Sequence, residues 1–506
     1  MLRMLFFFEI NYNFVDITNQ SKPKIVISVM FTQQDVEQIL ARGISQEQVE
    51  AQIENFRRGF PSLGVVSAAS PTDGIKVLTP EECEAYVEAY DSERACLKVV
   101  KFVPASGAAT RMFKELFEFV NEDKRGKGID VLLDNIQNFA FYPELKDVVS
   151  DFSDEKAVVS AIVGKGLEYG AKPKGLVTFH AYDEGARKAV EEHLVEAAQY
   201  CAAEGQARLH FTVSPEHKAA FEALLAERTP IYEARFGVSY DISFSVQNPS
   251  TDTIAVNPDN TPFRQDDGSL LFRPAGHGAL LENLNAIEAD VVFVKNIDNV
   301  TTDALRGDTI MFKKALAGLL LELQCKTFAH LKALRDGGAD LHEVAEFVEK
   351  SLCVKLPETY DAALLERILD RPMRVCGMVR NEGEPGGGPF WVANADGTQS
   401  LQIAESSQIS AEDMPLMKGA THFNPVDLVC AVRRADGSKF DLRKYTDPAT
   451  GFISEKSSGG RPLRAQELPG LWNGAMANWI TIFVDVPIST FSPVKVVQDL
   501  LRPQHR

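Results

Sequence analysis

The run LKVVKFVPASGAATRMFKELFEFV, residues 97–120, decides the fold class of this chain. Residues 97–104 are rich in β-branched and aromatic side chains and predict a buried strand. Residues 105–111 are mostly small and predict a tight loop, after which apolar residues recur at helical spacing. Strand, small-residue loop and helix in this order form the first unit of an α/β domain.

The same alternation continues along the rest of the chain. Strands are predicted at 175–179, 207–213, 240–246 and 291–294, and helices at 184–203, 215–227 and 309–335. Later strands are predicted at 374–379, 390–393, 401–404, 426–432 and 480–486. The pattern predicts an α/β fold with a mostly parallel, doubly wound sheet and a C-terminal α+β elaboration.

The chain divides into four predicted segments. Residues 1–29 form an N-terminal extension without periodicity, which we expect to be disordered. Residues 30–96 are helical, and a capping sequence at residues 31–35 opens the first helix directly after Met30. Residues 97–350 and 351–506 are the two halves of the α/β domain.

Composition excludes several classes of protein. The net charge of −18 disfavours nucleic-acid binding, because an acidic surface repels a phosphate backbone at long range. Seven widely spaced cysteines favour reduced thiols over disulfides or zinc sites. No apolar run is long enough for a signal peptide or a membrane helix, so we predict a cytoplasmic protein without a membrane partner. The oligomeric state stays open.

The loop after the first strand is the first candidate site. Ser106, Gly107, Ala109 and Thr110 are small enough to let a phosphate approach the backbone, and the next helix would present free N–H groups. Arg111 would lie in the first helical turn, where its guanidinium can hold phosphate with two N–H groups. A tight packing turn without a ligand is the alternative for this loop.

Two further loops carry polar residues next to turn-forming ones. Lys174 follows Pro173 before a predicted strand and could point a fixed charge into a cleft, although a solvated lysine is the alternative. Gly276, His277 and Gly278 force an irregular backbone before a helix, which suits a base or a phosphate. A structural histidine is the alternative there.

The last candidate is Asp298, which follows the apolar strand 291–294 within an Asn-x-Asp-Asn sequence at 296–299. Open α/β sheets bind ligands at the carboxyl ends of their strands, where this carboxylate would lie. One carboxylate together with triphosphate oxygens and water is a common magnesium site. An Asx turn that closes the strand is the alternative.

In combination, these motifs resemble a known family. Thr110-Arg111, Pro173-Lys174, the loop 274–278 and the segment 296–299 occur in the order found in eukaryotic-type UDP-sugar pyrophosphorylases. Stretches at 375–379, 403–409 and 421–424 resemble the sugar-side strands of these enzymes, so the resemblance spans about 97–430. The closest overall resemblance is to an uncharacterised bacterial family of such proteins.

The resemblance implies a GT-A-like nucleotidyltransferase fold, with 97–350 as its nucleotide-binding half and 351–506 as its sugar-side half. It implies that Gly107 and Arg111 contact a triphosphate and that Lys174 contacts phosphate. It also implies that the loop 276–278 lies along the nucleotide and that Asp298 holds Mg²⁺. The implied reaction forms a nucleotide sugar from a nucleoside triphosphate, UTP first among them, and a sugar 1-phosphate, with release of pyrophosphate.

On the sugar side, the resemblance implies that Glu405 and Asn424 bind hydroxyl groups. The sequence departs from the family at Ser106 and Ala109, where the relatives have glycine. Lys444 and Lys456 are the candidates for the second lysine that such enzymes use. Two other functions stay open: a glycosyltransferase that uses a nucleotide sugar, and a non-catalytic protein that binds sugar nucleotides.

Overall fold

A computed structural model describes residues 31–107, 109–383 and 386–506. The predicted extension at 1–29 and Met30 lie outside the described residues. The strands, numbered in chain order, are β1 (Val65–Ala68), β2 (Ile75–Lys76), β3 (Val99–Pro104), β4 (Thr178–Tyr182), β5 (Gly185–Lys188), β6 (Gln206–Thr212), β7 (Ser239–Ser245), β8 (Thr253–Val256), β9 (Phe272–Arg273), β10 (Val291–Lys295), β11 (Val354–Lys355), β12 (Met373–Arg380), β13 (Gly388–Ala393), β14 (Gln399–Ala404), β15 (His422–Ala431), β16 (Phe452–Ser458), β17 (Arg461–Glu467) and β18 (Ile480–Asp485).

The α-helices occupy the connections between these strands. They are α1 (Gln33–Ala41), α2 (Gln46–Arg58), α3 (Pro80–Glu93), α4 (Lys114–Glu122), α5 (Lys127–Asp134), α6 (Tyr142–Lys146), α7 (Glu155–Val163), α8 (Ala189–Tyr200), α9 (Pro215–Phe236), α10 (Leu281–Asn285), α11 (Gly307–Arg335), α12 (Leu341–Lys350), α13 (Ala362–Leu369) and α14 (Met414–Lys418). In the part of the chain that is described, no helix is long and apolar enough to cross a membrane.

A central sheet of eight strands organises the molecule, in the order β2-β18-β12-β15-β10-β3-β6-β7. The predicted α/β class is confirmed, but the sheet is mixed, because β15 runs antiparallel to both of its neighbours, β10 and β12. The other neighbouring pairs are parallel. Strands from 97–350 and from 351–506 lie side by side in this one sheet, so the two predicted segments share a core.

The two faces of the central sheet are covered differently. One face packs against helices, and its core contains Val99 and Phe293 of the sheet together with Leu320 of α11. On the other face, Val292 packs in a cluster with Trp391 of β13. That second face is covered by a smaller sheet, ordered β1-β13-β14-β11, by the short helix α10 and by loops. The prediction of a doubly wound sheet, with helices on both faces, is therefore confirmed only in part.

Helices α4 to α7 form a separate helical layer beside the carboxyl end of β3. Its core includes Phe113, Tyr169 and Ile162, all fully buried. Val494 and Val497, from the segment after β18, pack into the same cluster. The layer therefore joins the loop after β3 to the end of the described chain, and both of these regions reach the candidate site.

The N-terminal helices α1 and α2 pack on the small sheet that contains β8 and β9. The predicted capping sequence is confirmed, because the side chains and backbones of Thr32 and Asp35 form a reciprocal capping box at the start of α1. Asp35 also accepts two hydrogen bonds from Arg264, at 2.8 and 2.7 Å. The first helix is thus fixed to a distant part of the sequence as well as capped locally.

Some element boundaries differ from the predicted ones. The helix expected at 184–203 begins only at Ala189, because β4 and β5 form a hairpin in which Gly185 adopts a positive φ of 127°. The strand expected at 175–179 is a 3₁₀ turn followed by β4. The helix expected to end at 227 continues as α9 through Pro230 to Phe236.

Candidate functional site

A cleft of about 540 Å³ lies at the carboxyl ends of β3 and β10. Eight of the twelve predicted site residues line it, namely Ser106, Gly107, Thr110, Arg111, Lys174, Gly276, His277 and Asp298. Gln247, Asn296 and Lys495 line it as well, and the sequence did not single them out as ligand-binding residues. Four motifs that are far apart in the sequence therefore meet in one cavity, where the topology of an open α/β sheet expects a ligand.

The loop after β3 differs from the expected phosphate loop. Ala109–Arg111 form a 3₁₀ turn, and α4 begins only at Lys114, so Arg111 is not in the first turn of that helix. The Ala109 N–H donates to the Lys172 carbonyl at 3.1 Å and is not free for phosphate. The sequence therefore overestimated the role of a helix N-terminus, and side chains must supply most of the positive charge.

The two positions at which glycine is replaced in this loop have different surroundings. The Ala109 methyl group is fully buried in the helical layer, together with Met112, and so it does not narrow the cleft. Ser106 is half-buried and lines the cleft, whereas Gly107 is exposed with open space around its α-carbon. Only the serine therefore changes the space that a ligand would meet.

Arg111 supplies an uncommitted cation at the rim of the cleft. Its side chain is exposed and lines the cavity. Within the described residues, its guanidinium has no carboxylate within ion-pair distance and no hydrogen-bond partner. A planar guanidinium without a protein partner can offer several N–H groups to an anionic ligand.

Lys174 and Asp298 meet at the floor of the cleft. Lys174 lies in a 3₁₀ turn after Pro173, and its Nζ donates to Asp298 Oδ2 at 2.7 Å and to the Val494 carbonyl at 2.6 Å. Asp298 follows β10 and is 5% exposed. A lysine and an aspartate 124 positions apart are thus paired at the point where both motifs were expected to bind phosphate and metal.

The charge on Asp298 is stabilised by its neighbours. Burial alone would raise the pKa of this carboxyl group, but the ammonium groups of Lys174 and Lys495 outweigh burial and hold its pKa below the usual value. Asp298 is therefore anionic at neutral pH. The carboxylate is available as an anchor for cations, and it already has two within 4 Å.

Lys495 is the site residue that sequence reasoning missed. Its Nζ lies 3.6 Å from Asp298 Oδ2, and its side chain is 61% exposed in the cleft. Asn299 holds this segment in place, because its Oδ1 accepts the Ser492 N–H at 2.8 Å. A proline two residues before Lys495, similar to the Pro173-Lys174 pair, was the signal available in the sequence.

The two lysines proposed from the sequence as the second lysine lie elsewhere. Neither Lys444 nor Lys456 is among the residues that line the cleft. Lys444 is exposed on a 3₁₀ turn, and Lys456 Nζ is 3.3 Å from Glu467 Oε1. Lys495, in contrast, lines the cleft and shares Asp298 with Lys174.

The donors at this position fit magnesium that arrives with a phosphate ligand. Mg²⁺ is commonly held by one or two carboxylates together with phosphate oxygens and water, rather than by a complete protein cage. Asp298 supplies one anionic carboxylate at the floor of the cleft. Among the residues described, no group of three or more His, Cys, Asp or Glu side chains is arranged to hold a metal by itself.

The loop 276–278 has glycines for steric reasons. Gly276 has a φ of +76°, and a Cβ there would meet the Glu467 carboxylate. A Cβ on Gly278 would meet the Pro469 carbonyl. The His277 ring stacks on Trp472, with ring centroids 4.2 Å apart and planes 12° from parallel. Close packing against 467–472 thus fixes the imidazole at the edge of the cleft.

His277 is neutral and has a defined tautomer. Burial lowers its pKa, although Glu405 and Glu467 oppose this shift. Its Nδ1 accepts the Leu471 N–H at 2.9 Å, so the ring proton is on Nε2. That nitrogen is 4.0 Å from Glu405 Oε1, too far for a hydrogen bond. The predicted sugar residue Glu405 thus lies next to the cleft but does not line it.

Asn424 has a structural contact. Its Oδ1 accepts the Val426 N–H at 3.0 Å, and Val426 has a φ of +61°, a strained value for a β-branched residue. Asn424 is 7% exposed and does not line the cleft.

In contrast, Gln247 lines the cleft, and its buried Nε2 has no hydrogen-bond partner within the described chain. Gln247 therefore carries an unpaired donor in the wall of the cleft.

Comparison with known proteins identifies a family and a fold. The model of the family described as "Domain of unknown function (DUF4301)" matches residues 32–506. No curated protein matches the sequence of this chain.

Solved structures resemble the chain at low sequence identity. The uridine diphosphate N-acetylglucosamine pyrophosphorylase from Trypanosoma brucei, in complex with an inhibitor, matches with a TM-score of 0.51 and 11% identity over 94% of this chain and 82% of that chain. The inositol-1-phosphate CTP transferase from T. maritima matches with a TM-score of 0.24 and 9% identity over 66% and 69% of the two chains. The first likeness shows the fold and agrees with the resemblance predicted from the motifs.

Proposed function

This chain belongs to the DUF4301 family, and we propose that it is a nucleotidyltransferase that joins a nucleoside triphosphate to a sugar 1-phosphate and releases pyrophosphate. UTP is the first candidate for the triphosphate, because the fold is that of an enzyme named for a uridine nucleotide. The proposal assigns the activity in that name to this chain, an assignment that the fold alone does not make.

One observation carries the proposal: the lining of the cleft combines positive charge with a neutral, stacked ring. Arg111, Lys174 and Lys495 supply the positive charge. His277 supplies the neutral ring, stacked on Trp472, with Glu405 4.0 Å away. A nucleotide has matching parts, since its phosphates carry negative charge and its base and hydroxyl groups are neutral. The cleft therefore suits a nucleoside triphosphate with its phosphates next to the positive charges.

In the proposed reaction, a phosphate oxygen of the sugar 1-phosphate attacks the α-phosphorus of the triphosphate. A new P–O bond forms, the bond between the α-phosphorus and the bridging oxygen breaks, and pyrophosphate leaves with the electron pair. Such a transfer needs positioning and charge stabilisation more than covalent chemistry. Arg111, Lys174 and Lys495 would orient the phosphates and stabilise their negative charge.

We infer that magnesium accompanies the triphosphate and that Asp298 holds it. When bound, the ion neutralises phosphate charge and orients the triphosphate. An anionic Asp298 beside a triphosphate would be repelled without a cation between them. Lys174 now pairs with this carboxylate at 2.7 Å, and its flexible stem allows the ammonium group to turn towards phosphate when the metal binds.

Fewer contacts support the assignment of the sugar-binding residues. Glu405, near His277, is the stronger of the two sugar-binding candidates, because its carboxylate is about one-third exposed, at 32%. The Asn424 side chain supports Val426 through its carbonyl oxygen, so it would bind a hydroxyl group only through its amide nitrogen.

A non-catalytic sugar-nucleotide binder is the second candidate, and Ser106 is the observation that favours it. This side chain lies in the cleft at a position where the related enzymes have glycine, and a Cβ with a hydroxyl group reduces the space for phosphate. Ala109 gives this alternative no support, because its methyl group is buried away from the cleft.

One experiment separates these functions. The protein is incubated with UTP, magnesium and a panel of sugar 1-phosphates, and pyrophosphate release and nucleotide-sugar formation are followed by phosphorus NMR. A nucleotidyltransferase forms both products in equal amounts, and Arg111→Ala reduces them. A non-catalytic binder raises its melting temperature with UTP but forms neither product. In a parallel incubation with a nucleotide sugar in place of UTP and the sugar 1-phosphates, a glycosyltransferase consumes that compound, and such a result without pyrophosphate release in the first incubation would overturn the proposal.

A further inference from the structure

The ammonium group of Lys174 is held between two oxygen atoms from different parts of the chain. Its Nζ is 2.7 Å from Asp298 Oδ2 and 2.6 Å from the Val494 carbonyl oxygen. Carboxylate and carbonyl oxygens are also the ligands that hard cations such as Mg²⁺ and Mn²⁺ prefer. These two oxygens therefore form a position for a cation, called the cation seat here, and the lysine ammonium occupies it.

The cation seat does not depend on Lys174 for its shape. The Val494 N–H donates to the Asp298 carbonyl at 3.3 Å, and the neighbouring residues Asn299 and Pro493 form an antiparallel bridge. The Val494 side chain is fully buried in the helical layer. Backbone contacts and packing thus keep the two oxygens of the seat side by side when the lysine is replaced.

Two positive charges oppose the entry of a free metal ion. The ammonium groups of Lys174 and Lys495 lie 2.7 and 3.6 Å from Asp298 Oδ2. Within the described part of the chain, no group of three or more His, Cys, Asp or Glu side chains adds negative charge to hold a metal here. Asp298 is 5% exposed, so water screens the repulsion between cations only weakly. The free protein should therefore exclude divalent metal from the seat.

We propose that Lys174 is a built-in counter-ion that closes the cation seat to free metal and opens it when a triphosphate arrives. The release step rests on the proposed function, whereas the occupied seat does not. The Lys174 side chain is 16% exposed and lines the cleft, so its ammonium group can turn to phosphate oxygens. Asp298 and the Val494 carbonyl are then both free to ligate the metal, and the carbonyl is a ligand that no sequence motif includes.

Manganese binding without nucleotide tests the occupied seat, with protein-bound Mn²⁺ measured by equilibrium dialysis. Lys174→Met keeps a long side chain without the charge, and we expect the dissociation constant for Mn²⁺ to fall at least about tenfold relative to wild type. Lys174→Arg keeps the charge and should bind Mn²⁺ as weakly as wild type. The double variant Lys174→Met/Asp298→Asn should lose the gain, because the seat then lacks its carboxylate.

A second lysine–carboxylate pair supplies the matched control. Lys439 Nζ is 2.9 Å from Glu288 Oε1, and Lys439 does not line the cleft, so Lys439→Met should leave Mn²⁺ binding unchanged. The melting temperature of each variant shows that it is folded. If Lys174→Met does not fold, Lys495→Met tests the same repulsion. The expected gain is then smaller, about threefold, because Lys495 is more exposed and farther from the carboxylate.

Adding UTP tests the release step. In wild type, we expect UTP to bring Mn²⁺ onto the protein, whereas Lys174→Met should already bind Mn²⁺ without UTP. Equal affinity for Mn²⁺ in wild type and the lysine variants, without nucleotide, would overturn the proposal. So would a gain in Lys174→Met that persists with Asp298→Asn. A gain in Lys174→Met, together with a wild-type protein that binds neither UTP nor Mn²⁺ in its presence, refutes the proposed function and the release step and leaves the occupied seat standing.

Discussion

Among the described residues, two buried carboxylates are each shared by two lysines, and the two sites differ in the access of those lysines to solvent. At the floor of the cleft, Asp298 is shared by Lys174 at 2.7 Å and Lys495 at 3.6 Å. Between α8 and the sheet, Glu196 is shared by Lys101 of β3 and Lys295 of β10, both at 2.7 Å. The lysines of the cleft are 16% and 61% exposed, whereas the inner lysines are 0% and 1% exposed.

This difference separates a ligand site from a structural one. The inner lysines have no route to a ligand, and the carboxylate between them balances charge that folding has removed from water. Lys313, also fully buried, pairs with Asp427 close by. The ammonium groups of the lysines in the cleft can exchange Asp298 for a phosphate, because water or a ligand can reach them and take the place of the carboxylate. The same residue types therefore predict opposite mutant phenotypes in the two places.

The largest effect is expected from Glu196→Gln, between α8 and the sheet. This change leaves Lys101 and Lys295 without their shared counter-charge in a site closed to water, which should lower the free energy of unfolding by about 3–5 kcal/mol. Urea unfolding measures the loss. Glu346→Gln, on an exposed helix pair with Lys350, is the matched control and should be nearly neutral. A Glu196→Gln protein as stable as wild type would refute the structural role of the inner pair.

The opposite phenotype is expected from Asp298→Asn. The amide keeps the shape but loses the charge, and turnover should fall at least about 10²-fold, because magnesium loses its carboxylate ligand. Stability should change little, since Lys174 keeps the Val494 carbonyl and Lys495 reaches water. Turnover and melting temperature are measured on one preparation, with Asp336→Asn on the surface as control. A stable and fully active variant would exclude the metal role.

A smaller loss is expected from Arg111→Ala. Its guanidinium has no protein partner among the described residues, so the substitution removes no contact within the folded protein. A bound triphosphate, however, loses a charge-assisted hydrogen bond. Calorimetry should show UTP binding about ten- to a hundredfold weaker. Arg111→Lys should recover only part of the affinity, because an ammonium group cannot reproduce the two-pronged geometry. Equal affinity in the Ala variant would place the triphosphate elsewhere.

The smallest effect, taken per pH unit, is a difference in the pH dependence of stability. Burial lowers the pKa of Lys101 from 10.5 to about 8 in the folded protein, against the pull of Glu196. Between these two values the unfolded chain binds more protons, so this lysine makes the free energy of unfolding rise with pH, by about 1.4 kcal/mol per unit. Comparing the free energy of unfolding of wild type and Lys101→Met between pH 8 and 10 isolates the contribution of Lys101. A parallel pH dependence in both proteins would show that Lys101 keeps an ordinary pKa.

The sequence predicted local structure well where local forces decide it. The apolar run at 291–294 is the strand Val291–Lys295, and the capping sequence at 31–35 forms a capping box. Local signals failed where tertiary packing overrides them. The helix predicted at 215–227 continues as α9 to Phe236 and buries Tyr232, although Pro230 inside it removes a backbone donor.

The candidate site was predictable as a set of motifs but not as a set of contacts. Strand ends and turn residues pointed to Lys174 and Asp298 separately, and no local pattern could pair them. Lys495 was missed because the segment after β18 has no periodicity and is held by contacts with distant residues, such as the bond from the Ser492 N–H to Asn299 Oδ1. Glu405 and Asn424 were proposed from resemblance alone, and neither lines the cleft.

The central claim is that the carboxylate shared by Lys174 and Lys495 in the cleft marks a triphosphate site, and a crystal structure of the protein soaked with magnesium and UTP tests it most directly. The account predicts phosphate oxygens on Arg111 and Lys174, magnesium between the phosphates and Asp298, and the uridine beside His277. Nucleotide bound at a different place, or an empty cleft at saturating UTP with Lys174 still paired to Asp298, would contradict it.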